Sequence, residues 1–318
     1  LSSSAAPPAK SSRRAFALGA LALLVGCGPD APAKSPRRKI GKGAHLDPAE
    51  LFPADLNLVV RIDVGRMRSQ LGPAADALKA RAEAETDERI VTRALERARV
   101  AWIGLRLADL DAGDRVLVVE GDVGDLRPDP ALYSLGEPVA DGVSSFDRRG
   151  RVRRSSTARI LHFGERVIAF VSPAEVDSVT RVLERGPDRN RRDPPAEGIV
   201  SVDLRPRRLP PSLERRFPSI GSIIRGIARA RGSAAMDGET LRVEIEIQGV
   251  SAAAAERTEE LIGALREGGS ATRYAALFTK LEVERVERTV RLRWGLPPEV
   301  LRALASAPDG ESAVQAPP

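Results

Sequence analysis

The chain of 318 residues has one cysteine, two histidines and 3% aromatic residues. One cysteine has no partner within the chain, so no internal disulfide can form. Two histidines, His45 and His162, stand far apart, and a zinc site needs three or four ligands. HExxH, CxxC, GxSxG and GxxxxGK[ST] are all absent. Scarce aromatics argue against a stacking surface for sugars or single strands. The longest apolar run, Ala15–Gly26, has twelve residues. As a helix it would cover about 18 Å, against about 30 Å for a bilayer core.

That run is informative for what flanks it. Arg13 and Arg14 precede it, and Leu24-Val25-Gly26-Cys27 closes it. A basic segment, a short apolar core and small residues before a cut site mark a secretion signal. The last four residues resemble the lipobox of bacterial lipoproteins. The resemblance implies cleavage before Cys27 and a diacylglycerol thioether on its sulfur. Such chemistry needs the nucleophilic thiolate. It also implies a place in the cell envelope, with the lipid anchor facing the periplasm. Gly28, where an Asp would retain the protein at the inner membrane, points to the outer membrane. Ser12-Arg13-Arg14-Ala15-Phe16 is similar to a twin-arginine export motif, lacking its later Lys. The sequence is compatible with either export route.

The net charge of +6 and the pI of about 9.9 suggest nucleic acid until the chain is divided. The leader carries +3 and residues 27–46 carry +4, which leaves −1 for residues 47–318. No nucleic-acid partner is expected. Within the folded part, residues 148–232 hold 20 Arg against 9 acidic residues, between two acidic flanks. Such a belt is either a solvated face or an anion-binding surface for envelope glycolipids. Its candidate residues are Arg148, Arg149, Arg151, Arg153 and Arg154.

Composition and patterning divide the chain. Residues 1–26 read as signal peptide and 27–46 as a lipidated flexible tether. Residues 47–190 and 198–306 read as two α+β units, and 307–318 as a disordered tail. Leu56–Ile62 alternates as a strand. Val64–Glu83 and Asp87–Arg97 follow as helices, then strands Val100–Leu107 and Arg115–Glu120. A helical turn is expected near Ala131–Ser134. Strands are expected at Val143–Phe146, Val152–Ser155, Ala158–Phe163 and Arg166–Val171, then a helix at Pro173–Glu184. The second unit reads as strand Ile199–Leu204, helices Pro211–Phe217 and Ile220–Ala230, and the alternating strand Leu241–Gln248. A helix capped by Ser251, strands Leu281–Val286 and Thr289–Trp294, and helix Pro297–Leu304 complete it. The expected fold class is α+β, with mainly antiparallel sheets and packed helices. The two units read as divergent repeats of a strand-helix-helix-strand-strand plan. Leu51–Val64, LFPADLNLVVRIDV, resembles the start of mature domains in uncharacterised envelope lipoproteins of high-GC Gram-negative bacteria. That resemblance implies no activity.

The expected role is therefore non-catalytic: an anchored domain binding an envelope protein or an anionic glycolipid, with no cofactor and no metal. An alternative is a hydrolase using His162 or a carboxylate pair. It requires His162 to line a pocket beside a serine or an acid. Trp102 and Trp294 fall in strands and are expected in the core. Gly41-Lys42-Gly43 faintly resembles a phosphate loop but has no strand before it.

Overall fold

A computed structural model describes residues 47–72, 75–76, 88–106, 114–153, 156–187, 198–206, 218–269, 280–298 and 300. Cys27, His45, Gly41-Lys42-Gly43, Arg154, the helix expected at Pro211–Phe217 and the tail 307–318 lie outside the described residues.

The fold is α+β. Among the described residues, twelve strands form one antiparallel sheet. They are β1 (Leu58–Asp63), β2 (Ala98–Leu105), β3 (Arg115–Gly121), β4 (Tyr133–Leu135), β5 (Val143–Arg148) and β6 (Arg159–Phe163). The rest are β7 (Val167–Val171), β8 (Val200–Leu204), β9 (Ile227–Asp237), β10 (Thr240–Gly249), β11 (Glu282–Val286) and β12 (Thr289–Leu296). Their order across the sheet is β11-β12-β10-β9-β8-β1-β2-β3-β7-β6-β5-β4. Outward from the centre, β1-β2-β3-β7-β6 on one side mirrors β8-β9-β10-β12-β11 on the other. The halves join where β1 and β8 pair antiparallel, with Val60 opposite Val202.

The helices are α1 (Val64–Leu71), α2 (Arg89–Glu96), α3 (Val176–Arg185), α4 (Pro218–Arg225) and α5 (Ala252–Gly269). Asp63 caps α1, its Oδ1 accepting from the Arg66 amide at 2.9 Å. In the N-terminal half, side chains alternate between two covered faces. The front face buries Val59, Val100, Trp102, Val118 and Leu161 under the 3₁₀ turn Pro48–Leu51 and α3. The back face buries Ala101, Leu117, Val119, Ile160 and Phe170 under α1 and α2. Gly104 sits where Phe52 and Leu56 press on the front of β2; a Cβ there would lie 2.5 Å from Phe52 Cδ1. In the C-terminal half, α5 covers the back face through Ala255, Ile245, Ile247, Val290 and Leu292.

Three local expectations change. Ile227–Asp237 is the long strand β9, not the end of a helix, because β8 and β10 pair with it on both sides. The turn expected at Ala131–Ser134 closes earlier, with the Leu132 and Tyr133 amides donating to the Asp129 carbonyl, and Tyr133 already begins β4, which pairs with β5. Arg151–Arg153 take no strand pairing.

Candidate functional site

His162 lies in β6 opposite Ile168 of β7 and Ser144 of β5. It is buried, and its ring meets Phe146 edge-on at 5.8 Å. Burial, helped by the Arg127 charge, pushes its pKa down to about 4, so the imidazole is neutral at pH 7. Its Nε2 has no hydrogen-bond partner. The ring is a packed strand residue.

Four of the five expected arginines, Arg148, Arg149, Arg151 and Arg153, are described. Arg148 turns inward: its Nη1 donates to Glu88 Oε1 at 2.7 Å, and its guanidinium lies over the Tyr133 ring. Glu88 also accepts from the Thr157 amide and the Tyr133 hydroxyl. Burial, then the Glu88 charge, raises the Tyr133 pKa. Arg149 Nε donates to the Tyr133 carbonyl. Arg149, Arg151 and Arg153 are exposed.

Other interior charges are closed by arginine forks. Glu175, fully buried, accepts from Arg106 Nε at 2.6 Å and Nη2 at 3.0 Å. Arg106 also meets Asp55 at 2.9 Å. The Glu175 hydrogen bond holds the Arg106 guanidinium protonated more firmly than usual. Asp203, also fully buried, accepts from Arg229 Nε at 2.8 Å and Nη2 at 3.1 Å. Two such bonds fix geometry as well as charge.

The front of the C-terminal half carries alternating charge. Asp203, Arg231, Glu246, Arg291 and Glu284 stand opposite one another across β8, β9, β10, β12 and β11. A hollow of about 240 Å³ opens on this face, lined by Arg231, Ser233, Glu244, Glu246, Arg291 and Arg293. A larger one of about 680 Å³ lies beside it, near Arg242, Lys280, Glu282 and Trp294. Trp294 packs partly buried towards α5, and Trp102 is buried in β2.

At the join of the halves, Arg61 of β1 faces Trp102 of β2 on one side and Ser201 of β8 on the other. Nothing in the sequence marks this group, because only strand register brings it together. Arg61 Nη2 reaches Asp63 Oδ2 at 3.5 Å, and the guanidinium lies 5.8 Å from the Trp102 ring centre. Among the described residues, no group of three His, Cys, Asp or Glu side chains is placed to hold a metal ion. No helix among them is long and apolar enough to cross a membrane.

No family model matches the chain, and no curated protein matches it. Solved structures of TP0453 resemble it in part. Crystal form I shares 10% identity at a TM-score of 0.49, over 83% of this chain and 98% of that one. Crystal form III shares 10% identity at a TM-score of 0.47, over 83% of this chain and all of the other. At that similarity nothing about activity passes from one chain to the other.

Proposed function

We propose that the chain is a lipid-anchored protein of the cell envelope whose folded part binds or scaffolds another envelope component and performs no covalent chemistry. The observation that carries the proposal is Leu24-Val25-Gly26-Cys27 at the end of a basic and apolar leader. Each buried methylene of an acyl chain contributes about 0.8 kcal/mol, and one chain alone holds only marginally. Two or three chains on Cys27 hold the domain firmly at the membrane, facing the periplasm. Gly28 favours the outer membrane.

The folded part supports a binding role by the way its charges are spent. Glu88, Glu175 and Asp203 are each matched by an arginine. His162 is neutral and packed against Phe146, which leaves it poorly placed for acid–base work. In the alternative reading, an anionic ligand would meet Arg149, Arg151 and Arg153, which are exposed, and not Arg148, which is engaged with Glu88.

The test is the intact mass of protein recovered from membranes, for wild type and Cys27→Ala. Loss of residues 1–26 with acyl mass gained on Cys27 is expected in the wild type alone. An unlipidated wild-type chain overturns the anchor.

A further inference from the structure

Three hydrogen-bond donors stand in one cross-strand row on the front face: Trp102 Nε1, Arg61 Nη1 and Ser201 Oγ. Each atom is buried, and none has a hydrogen-bond partner. Trp102 is 8% exposed and Ser201 fully buried. The Arg61 side chain is 11% exposed. A single unpaired donor in an interior is costly, and here three adjacent strands each supply one.

The row is held in place. Asp63 takes one edge of the Arg61 guanidinium while its other oxygen caps α1. That leaves Nη1 uncommitted. The Trp102 ring packs against Phe52 at 6.3 Å and against the Arg61 guanidinium. The neighbouring carboxylate of Asp203 is already matched by Arg229.

The chemistry of the donors selects the ligand. A water molecule accepts about two hydrogen bonds, whereas a carboxylate offers about four acceptor sites and a phosphate three oxygens. Three donors, one of them permanently cationic, suit an oxyanion. A hollow lies close by. Beyond Ser201 the row continues to Ser233 of β9, which lines the hollow of about 240 Å³. Pockets for drug-sized ligands start at about 300 Å³, so this hollow suits a small group. Its arginines, Arg231, Arg291 and Arg293, outnumber its carboxylates, Glu244 and Glu246.

We infer that Arg61, Trp102 and Ser201 form an interior binding site for an oxyanionic group, a phosphate or a carboxylate, next to the hollow at Ser233. This deepens the binding role proposed above and rests on it, but it does not depend on the lipid anchor.

The test follows thermal unfolding of the full chain in detergent during titration with inorganic phosphate and, separately, with octanoate. Sodium chloride at matched ionic strength is the control. A saturable rise in melting temperature beyond chloride is expected in one arm. A response to phosphate identifies a phosphate source, and a response to octanoate a carboxylate source. Ser201→Ala removes one donor with little change of shape, Trp102→Phe removes another while thinning the packing on Phe52, and each weakens the response about tenfold. Arg89→Ala, on the exposed surface of α2, leaves it unchanged. The site is overturned if neither anion exceeds chloride, or if the response survives both donor substitutions. Cys27 acylation, read by mass, tests the anchor separately, so either result can fail without the other.

Discussion

The two halves share one strand order and differ in how they are covered. In the N-terminal half, β7 is buried at every position, and so is β3 from Val116 to Glu120. Their sequences, VIAFV and VLVVE, are near-continuous apolar runs, as a strand covered on both faces requires. In the C-terminal half, β10 alternates: Arg242, Glu244 and Glu246 are exposed, and the apolar residues between them are only half-buried. Topology alone therefore does not decide burial. The same arrangement of strands serves as a two-sided core in one half and a one-sided sheet in the other. What differs is whether alternate positions are apolar or charged.

Ion pairs sharpen that contrast. In the N-terminal half, Arg106→Met leaves the Glu175 carboxylate buried without its fork. A loss of about 3–5 kcal/mol is expected in urea unfolding; a loss under 1 kcal/mol would mean the pair is wetter than its burial indicates. The second effect is pH-dependent. His162 has a folded pKa of about 4 against an ordinary 6.5. As pH falls through 6.5 the unfolded chain takes up the proton first, so stability is lost from there down to about pH 4. The loss is about 3 kcal/mol and stops below the folded value. Comparing urea unfolding of wild type and His162→Phe across this range isolates it; parallel curves would remove His162 as the cause. The smallest effect belongs to the open face. Glu246→Ala takes one member from the charge row and should cost less than about 1 kcal/mol, fading as salt rises. A larger, salt-insensitive loss would show that this face is as closed as the other.

Much of the architecture was legible from the chain. The apolar alternation of Leu56–Ile62 and Leu241–Gln248 marks β1 and β10, and Ser251 does cap α5 through the Ala254 amide. The expected repeat shows in the sheet order, which runs alike outward from the join in both halves, while the helix expected at Pro211–Phe217 lies outside the described residues. β9 was not legible. Its sequence, IARARGSAAMD, is rich in Ala and Arg, which favour helix locally, and its strand form comes from partners on both sides. The arginine run does not share one environment, since neighbours along a chain can face different ways: Arg148 pairs with Glu88, while Arg149, Arg151 and Arg153 face solvent. The Arg61, Trp102 and Ser201 group was hidden because its members come from three strands far apart in the chain.

The join of β1 and β8 also has a kinetic consequence. Leu58 faces Leu204, so this one pairing closes a loop of about 146 residues, at an entropic cost of roughly 4 kcal/mol. The β9–β10 and β11–β12 hairpins close over two-residue turns. Local hairpins form early and distant pairings late. Until the join closes, each half-sheet presents a bare central edge, β1 or β8, able to pair with the wrong chain. The contact that closes the longest loop is then the one that keeps two nascent chains from exchanging halves.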